Sequence, residues 1–165
     1  MAMEIESKKS FTCSQCNHTP ITIELVTGYI YILSNSAMPG LLKIGFTERD
    51  VEIRRDELSN HTGIPAPFEI EACFAVNNPQ ETEKEIHKKL EIYRQSNDRE
   101  FFRVSLVKAY ESISSILGNP VFKLETTRLE FEKKLATLRV DALRADEEKR
   151  RQEYLLELNQ IAQGE

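Results

Sequence analysis

The sequence predicts a small mixed domain, α+β or α/β, followed by a charged helical tail. Two strand-like stretches flank a short loop, a third alternating stretch follows a helical one, and no Gly or Pro interrupts the tail between Pro120 and Gly164. With 165 residues, the chain is long enough for one domain with its own core but hardly for two. We therefore divide it into a leader at 1–26, a globular domain at 27–118 and a helical tail at 119–165.

The first two strands are expected to form a hairpin. Aromatic and β-branched residues over 29–33 favour a strand, residues 34–40 have the composition of a loop, and residues 41–46 return as the second strand. Thr47 follows directly and is expected to cap the next helix.

Helical spacing marks the segment after the hairpin. Val51, Arg54, Arg55 and Leu58 recur on one side of a helix that should end near Asn60. Two prolines then indicate a loop, and residues 68–76 alternate as a third strand. The remaining expected elements are a helix that starts at Asn78 and includes Tyr93, a short strand or turn over 100–104, and a helix over 106–117.

The tail carries apolar residues at the spacing of a coiled coil. Its two rows are Leu124, Phe131, Leu138 and Ala145, and Leu135, Ala142 and Leu156, with Lys149 interrupting the second row. This pattern predicts a long helix that pairs with a second copy to form a homodimer or assembles other partners. The alternative is a single helix with solvated charged faces.

Charge and composition limit the function classes. Lys and Arg number 22 against 27 Asp and Glu, and the resulting net charge of −5 excludes polybasic coating of nucleic acid but allows a local basic groove. No apolar run reaches the ~18 residues that a membrane span needs, so no membrane partner is expected. Three cysteines and a polar N-terminus favour reduced thiols and a cytoplasmic location.

The leader contains a Cys-x-x-Cys pair. Cys13, Cys16 and His18 supply part of a tetrahedral Zn²⁺ site, which Cys73, His61 or a second chain could complete. The alternative is a leader without a ligand, because the second half of a zinc knuckle is missing from the leader itself.

Five short motifs in order resemble the GIY-YIG nuclease superfamily. The resemblance covers residues 28–113 and is strongest to a phage-associated branch in which the second motif is Lys-Ile-Gly. The motifs are Tyr-Ile-Tyr-Ile-Leu-Ser-Asn at 29–35, Lys-Ile-Gly-Phe-Thr at 43–47, Thr-Gly-Ile-Pro-Ala-Pro-Phe at 62–68, Glu-Lys-Glu-Ile-His-Lys-Lys-Leu at 83–90 and Arg-Glu-Phe-Phe-Arg-Val at 99–104.

The resemblance implies an α+β fold, with a three-stranded antiparallel sheet flanked by helices. It also implies cleavage of DNA phosphodiester bonds with one divalent metal ion, Mg²⁺ or Mn²⁺. By motif, Tyr31 matches the first-motif Tyr, Arg54 the helix Arg and Glu83 the metal-binding Glu. Lys43 stands where the family's second Tyr is found, and Tyr29 stands where the first tripeptide has Gly.

Elementary chemistry agrees with these roles. Tyr31 could activate a water, but a phenol with a pKa near ~10 needs a nearby cation, for which Lys43 is the candidate. Arg54 has the planar fork that bridges phosphate oxygens. Glu83 supplies the oxygen ligand that Mg²⁺ prefers, and Glu100 is a second metal candidate. His87, one helical turn after Glu83, could carry a proton or contact phosphate.

Other residues complete the predicted site. Tyr29 shares a sheet face with Tyr31 and is grouped with the candidate catalytic residues. The candidates for nucleic-acid binding are Arg55, Lys88, Lys89 and Arg103. Each residue also has an ordinary interpretation, because tyrosines pair across strands and charged residues cover helix surfaces.

Three functions therefore compete. The first is a metal-dependent DNA endonuclease, with RNA as an alternative substrate. The second is a nucleic-acid-binding module that has the fold without turnover. The third is a scaffold that assembles through the tail.

Overall fold

The computed structural model describes residues 8–11, 21–24, 26–96, 99–122 and 125–163. The chain divides into two compact units, Met1–Phe122 and Lys123–Glu165. At the start of the first unit, β1 (Lys8–Phe11) and β2 (Ile21–Glu24) form an antiparallel pair of their own. The zinc candidates Cys13, Cys16 and His18 lie outside the described residues.

A four-stranded antiparallel sheet is the centre of the first unit. The hairpin expected from the sequence is formed by β3 (Gly28–Asn35) and β4 (Leu42–Thr47), and β5 (Phe68–Val76) pairs with the other side of β3. The fourth strand, β6 (Phe101–Phe102), pairs with Leu42 and Lys43 of β4, so the sheet has one short strand more than the three that the resemblance implies.

Helices cover both faces of the sheet. They are α1 (Val51–Ser59), α2 (Pro79–Lys89) and α3 (Leu106–Leu117), and a single 3₁₀ turn at Glu91–Tyr93 follows α2. The helix that was expected to include Tyr93 therefore ends at Lys89, because its last residues tighten into the 3₁₀ geometry common at helix ends.

The cap of α1 differs from the expectation. The Asp50 carboxylate accepts a hydrogen bond from the backbone N–H of Glu52 at 2.9 Å, as an N-cap residue does. Thr47 instead accepts from the N–H of Arg49 at 3.1 Å and shapes the turn between β4 and α1. The prediction that Thr47 caps the helix was wrong, because three residues separate it from the helix start.

Strand alternation divides the core between the two faces. Tyr31 and Leu33 face α1 and form a buried cluster with Val51 and Phe68. The side chains between them point to the opposite face, where α2 and α3 contribute further buried residues. These buried residues of the second face are Ile30, Ile32, Ile44, Phe74, Ile86, Phe102, Ala109 and Ile113.

The second unit contains the helix α4 (Glu125–Gln163), which is continuous over 39 residues. It confirms the long C-terminal helix expected from the sequence. Large apolar side chains are exposed along it, among them Leu138, Leu143 and Leu156. In the described part of the chain, no helix combines the length and the apolarity that crossing a bilayer requires.

Candidate active site

A cavity of about 480 Å³ opens beside the end of β4. We call it the Tyr31 cavity. Four predicted site residues line it: one each from β3, α1 and α2 and one from the segment before β6. They are Tyr31, Arg54, Glu83 and Glu100, and the rest of the wall is Phe46, Thr47, Glu48 and Arg49.

The phenol of Tyr31 lies across β4 at Gly45, its partner in the strand register. A Cβ atom at Gly45 would stand 2.7 Å from the Tyr31 hydroxyl oxygen and 3.1 Å from Oε2 of Glu100. The first contact is closer than real Cβ atoms approach and the second is unusually tight, so a side chain at position 45 would force the phenol to move.

Arg54 is the cation beside the Tyr31 hydroxyl. Burial raises the pKa of Tyr31 above its usual value, whereas hydrogen bonding to Arg54 and its positive charge oppose that rise. Arg54 also contacts the Glu57 carboxylate at 3.4 Å, which holds its guanidinium at the cavity wall. The phenol is therefore protonated at neutral pH and has a fixed cationic neighbour.

Glu83 is a largely buried carboxyl group with one oxygen that makes no hydrogen bond. Its side chain is only 12% exposed, and its buried Oε1 makes no hydrogen bond with any residue that the structure describes. Burial, and then the negative charge of Glu100, raise the pKa of Glu83 to about 7, although Lys43 and the backbone amide of Phe46 act in the opposite direction. A bound cation would satisfy this oxygen and the paired negative charges.

Lys43 and Glu100 form an ion pair across the sheet. Nζ of Lys43 lies 2.5 Å from Oε2 of Glu100, and the lysine side chain is only 10% exposed. The pairing with β6 produces this contact, because it places Phe101, the neighbour of Glu100, opposite Lys43. Lys43 is thus held by a carboxylate and is not part of the wall of the Tyr31 cavity.

His87 lies next to Glu83 on α2 but is not part of the cavity wall. Its Nε2 lies 2.8 Å from the carbonyl oxygen of Ile44 and 4.0 Å from Oε1 of Glu83, and its ring packs on Phe102 with centroids 5.0 Å apart. A carbonyl only accepts, so Nε2 carries the proton. Burial lowers the pKa of His87, which keeps the imidazole neutral at pH 7 and consistent with this hydrogen bond.

Comparison with known proteins identifies the family of the domain that contains this cavity. The family model of the T5orf172 domain matches residues 28–117, which is more than half of the chain. The chain belongs to the T5orf172 domain family. This domain is GIY-YIG-like and nuclease-related. No curated protein and no solved structure matches the chain significantly.

Several residues of the T5orf172 domain that were predicted to belong to the site do not line the Tyr31 cavity. Tyr29 packs against the cluster beneath α1, and Arg55 pairs with Asp56 at 2.7 Å. The other three are outside its wall as well: Lys88 and Arg103 are exposed, and Lys89 contacts Ser115 of α3 at 2.6 Å. These residues therefore do not contribute to the wall of the cavity.

Two residues of this T5orf172 domain were missed by the sequence reasoning as parts of the site. A glycine inside a strand pattern often marks a close approach, and this signal could have identified Gly45. Arg49 lines the cavity and pairs with Glu57 at 2.9 Å. Nothing in the sequence distinguishes Arg49 from other charged residues near the start of a helix.

Proposed function

We propose that this protein is a metal-dependent endonuclease that hydrolyses phosphodiester bonds in DNA. The observation that carries the proposal is the Tyr31 cavity of about 480 Å³, whose wall combines the Tyr31 phenol, two guanidinium groups and the buried carboxyl group of Glu83. Phosphodiester hydrolysis needs an activated water, charge stabilisation at the phosphate and a divalent ion, and this set of side chains fits those three needs. Membership of the T5orf172 family supports the same activity.

The donor set fits Mg²⁺ or Mn²⁺. In the described residues, no group of three or more His, Cys, Asp or Glu side chains is close enough to form a protein cage. Mg²⁺ commonly binds through one or two carboxylates and keeps several waters, and Glu83 with its unpaired Oε1 supplies such a ligand. Glu100 is close enough to raise the pKa of Glu83 and is the second candidate ligand. When bound, the ion polarises the phosphate.

Arg54 holds the phosphate in this proposal. Its guanidinium lines the cavity next to Tyr31, and a planar fork can donate to two phosphate oxygens at once. Arg49, in the same wall, adds a second positive charge. Both arginines contact Glu57, so in this proposal phosphate oxygens join or replace that carboxylate as their acceptors.

Tyr31 acts on the attacking water. Because its pKa is raised, the phenol is protonated at neutral pH and orients the water through a hydrogen bond. Only the phenolate, formed when the hydroxyl proton has left to solvent, then accepts a proton from the attacking water. Arg54, not Lys43, is the adjacent cation that stabilises the phenolate. Lys43 has a different function here: its ion pair fixes the Glu100 carboxylate at the edge of the cavity.

A plasmid assay tests the proposal. We expect wild-type protein to nick supercoiled DNA with Mg²⁺ or Mn²⁺, and Glu83→Gln to reduce the rate by about 100-fold or more because it removes the charged ligand. Glu85→Gln, an exposed change on the same helix, is the matched control and should retain the rate. Absence of nicking by wild type, or equal rates for the wild type and the Glu83 variant, contradicts the proposal.

A nucleic-acid-binding module without turnover is the second candidate. Lys43 stands where GIY-YIG nucleases have their second Tyr, and its amine is bound to Glu100. This replacement favours a module without turnover. Such a module would bind DNA with a steep dependence on salt and would bind equally well after Glu83→Gln. Binding without cleavage under every metal condition would support this candidate over the endonuclease.

A further inference from the structure

A second cavity lies next to the Tyr31 cavity. Its volume is about 560 Å³, and Glu100 belongs to the walls of both cavities. We call it the Phe101 cavity. Pockets that bind small ligands typically enclose roughly 300–1,000 Å³, so the space is large enough for one nucleotide. The endonuclease proposal assigns no function to this space.

Aromatic rings form the floor of the Phe101 cavity. The rings of Phe101 and Phe68 stack with centroids 6.3 Å apart and an interplanar angle of 30°. Phe68 is buried in the core, whereas Phe101 is half-buried and contributes to the cavity wall. The exposed part of the Phe101 ring, beside the Lys43 ammonium, offers a surface on which a flat heterocycle can stack.

Polar groups surround this floor. Nζ of Lys43 lies over the Phe101 ring, 5.5 Å from its centroid, and its partner Glu100 provides acceptor oxygens. His61, Thr62 and Arg99 add further donors and acceptors to the wall. Nucleobases combine an aromatic face with an edge of donors and acceptors, so this lining is chemically complementary to a base.

The loop after α1 forms the outer wall and is preorganised. The N–H of Ile64 donates to the carbonyl of His61 at 3.1 Å, which closes a turn with Gly63 at φ +100°. A side chain at Gly63 would meet no atom within 4 Å, so the backbone conformation itself requires glycine. The backbone of this wall is therefore held by a hydrogen bond of its own.

We propose that the Phe101 cavity receives the base of the nucleotide next to the scissile phosphate and stacks it on Phe101. The inference rests on the proposed function, because the Tyr31 cavity supplies the position of the phosphate. A base can enter only after it leaves its helical stack, and unstacking costs least for a base that is already unpaired. The preferred substrate is thus DNA with an unpaired nucleotide beside the cleaved bond.

Oligonucleotide cleavage tests this preference. Two duplexes are compared that differ only in whether the nucleotide beside the mapped cleavage site is paired or bulged. We expect the bulged duplex to be cleaved about ten-fold faster, a ratio within the range that stacking of one base on an aromatic side chain supplies. Equal rates on both duplexes overturn the proposal.

Variants at Phe101 separate stacking from packing. Phe101→Leu retains apolar bulk against Phe68 but removes the ring, so the rate ratio should fall to about one, whereas Phe101→Tyr should retain it. Tyr110→Leu is the matched control, since Tyr110 is a half-buried aromatic residue of α3 that packs on Phe74 and lines neither cavity. A Leu variant that keeps the preference overturns the role of Phe101.

A fluorescence measurement of DNA binding tests the Phe101 cavity independently of the nuclease activity. Glu83→Gln protein is mixed with duplex DNA that carries the fluorescent base 2-aminopurine beside the cleavage site or, if nothing is cleaved, at a bulge. A rise in fluorescence that depends on the ring of Phe101 supports the subsite even when no substrate is cleaved. Absence of DNA binding, or binding with no change in fluorescence, overturns the subsite whatever the nuclease result.

Discussion

The hydroxyl of Tyr31 occupies the space that a side chain at position 45 would need. Gly45 pairs with Tyr31 in the sheet, and the Glu100 carboxylate reaches the same point from the other side. The absence of one Cβ atom therefore brings a phenol and a carboxylate together over a strand. This close approach requires glycine at position 45, although a strand by itself accepts larger residues there.

We expect Gly45→Ala to reduce DNA nicking by about ten-fold or more, since small displacements of reacting groups cost this much. The new methyl group would lie 2.7 Å from the Tyr31 hydroxyl oxygen, so the phenol has to move out of its position. The rate is measured with the plasmid assay at a temperature where circular dichroism shows both proteins to be folded.

The same change in a Tyr31→Phe background is the control. If Gly45→Ala acts by displacing the hydroxyl, it should add little to the loss that Tyr31→Phe already causes, because the two effects are coupled. Losses that simply add would mean that position 45 acts on something other than Tyr31.

Short elements bring the site together, each contributing one or two groups. β3 supplies Tyr31, α1 supplies Arg54 and α2 supplies Glu83. His87 lies one turn beyond Glu83, and its hydrogen bond to Ile44 fixes α2 to the edge of β4. That edge is available because β6 pairs with only two residues of β4. The shortness of β6 thus permits the contact between helix and strand that positions Glu83.

The helix α4 is expected to form a homodimer through its seven-residue apolar rows. Leu138 and Leu156 belong to these rows and are 36% and 61% exposed in the single chain. Burying them in a paired seam is favourable because apolar surface leaves water. Light scattering should give a mass twice that of the 19.0 kDa chain, and the double change Leu138→Glu with Leu156→Glu should give the monomer.

Leu143→Glu provides the comparison for the helix. Leu143 is 64% exposed but lies outside both rows, so the same introduction of charge should leave the dimer intact. A wild-type chain that scatters as a monomer over the whole concentration range argues against pairing through α4.

At the scale of the whole molecule, Glu83 couples the site to folding stability. Its pKa rises from 4.5 to about 7 in the folded protein, so the folded state binds a proton that the unfolded state releases. The contribution of Glu83 to the free energy of unfolding is therefore highest below pH 4.5, and it decreases as the pH rises from there through about 7. Metal-free protein is destabilised in the pH range where the carboxylate is ionised.

We expect Glu83→Gln to raise the melting temperature of metal-free protein at about pH 8 but to have little effect at about pH 5. The uncharged amide removes the cost of a buried charge, which a shift of this size puts at up to about 3 kcal/mol. Mg²⁺ should stabilise wild type at the higher pH and the variant much less. Calorimetry of both proteins, with Glu85→Gln as reference, checks this; identical melting of wild type and Glu83→Gln at both pH values would contradict it.

Much of the first unit was predictable from local chemistry. The third main-sheet strand at Phe68–Val76 and the helix at Leu106–Leu117 have the predicted bounds, because alternation and helical spacing are unambiguous there. The errors lie at boundaries and caps. Thr47 and Asp50 are both good N-cap residues by type, and only the backbone geometry decides which of them accepts the first free N–H.

Residue type and order along the chain were sufficient to predict a mixed domain of helices and strands and the long terminal helix. The resemblance to a nuclease superfamily led to four of the residues now found around the Tyr31 cavity. The partner of Lys43 could not be derived in this way: its carboxylate is 57 positions away, and only the pairing of β4 with β6 brings the two together. Contacts between distant elements also place Arg54 beside Tyr31 and His87 against Ile44, and they bury an oxygen of Glu83 that makes no hydrogen bond. Local sequence determines backbone preference, whereas distances between side chains and their burial arise only when the elements pack.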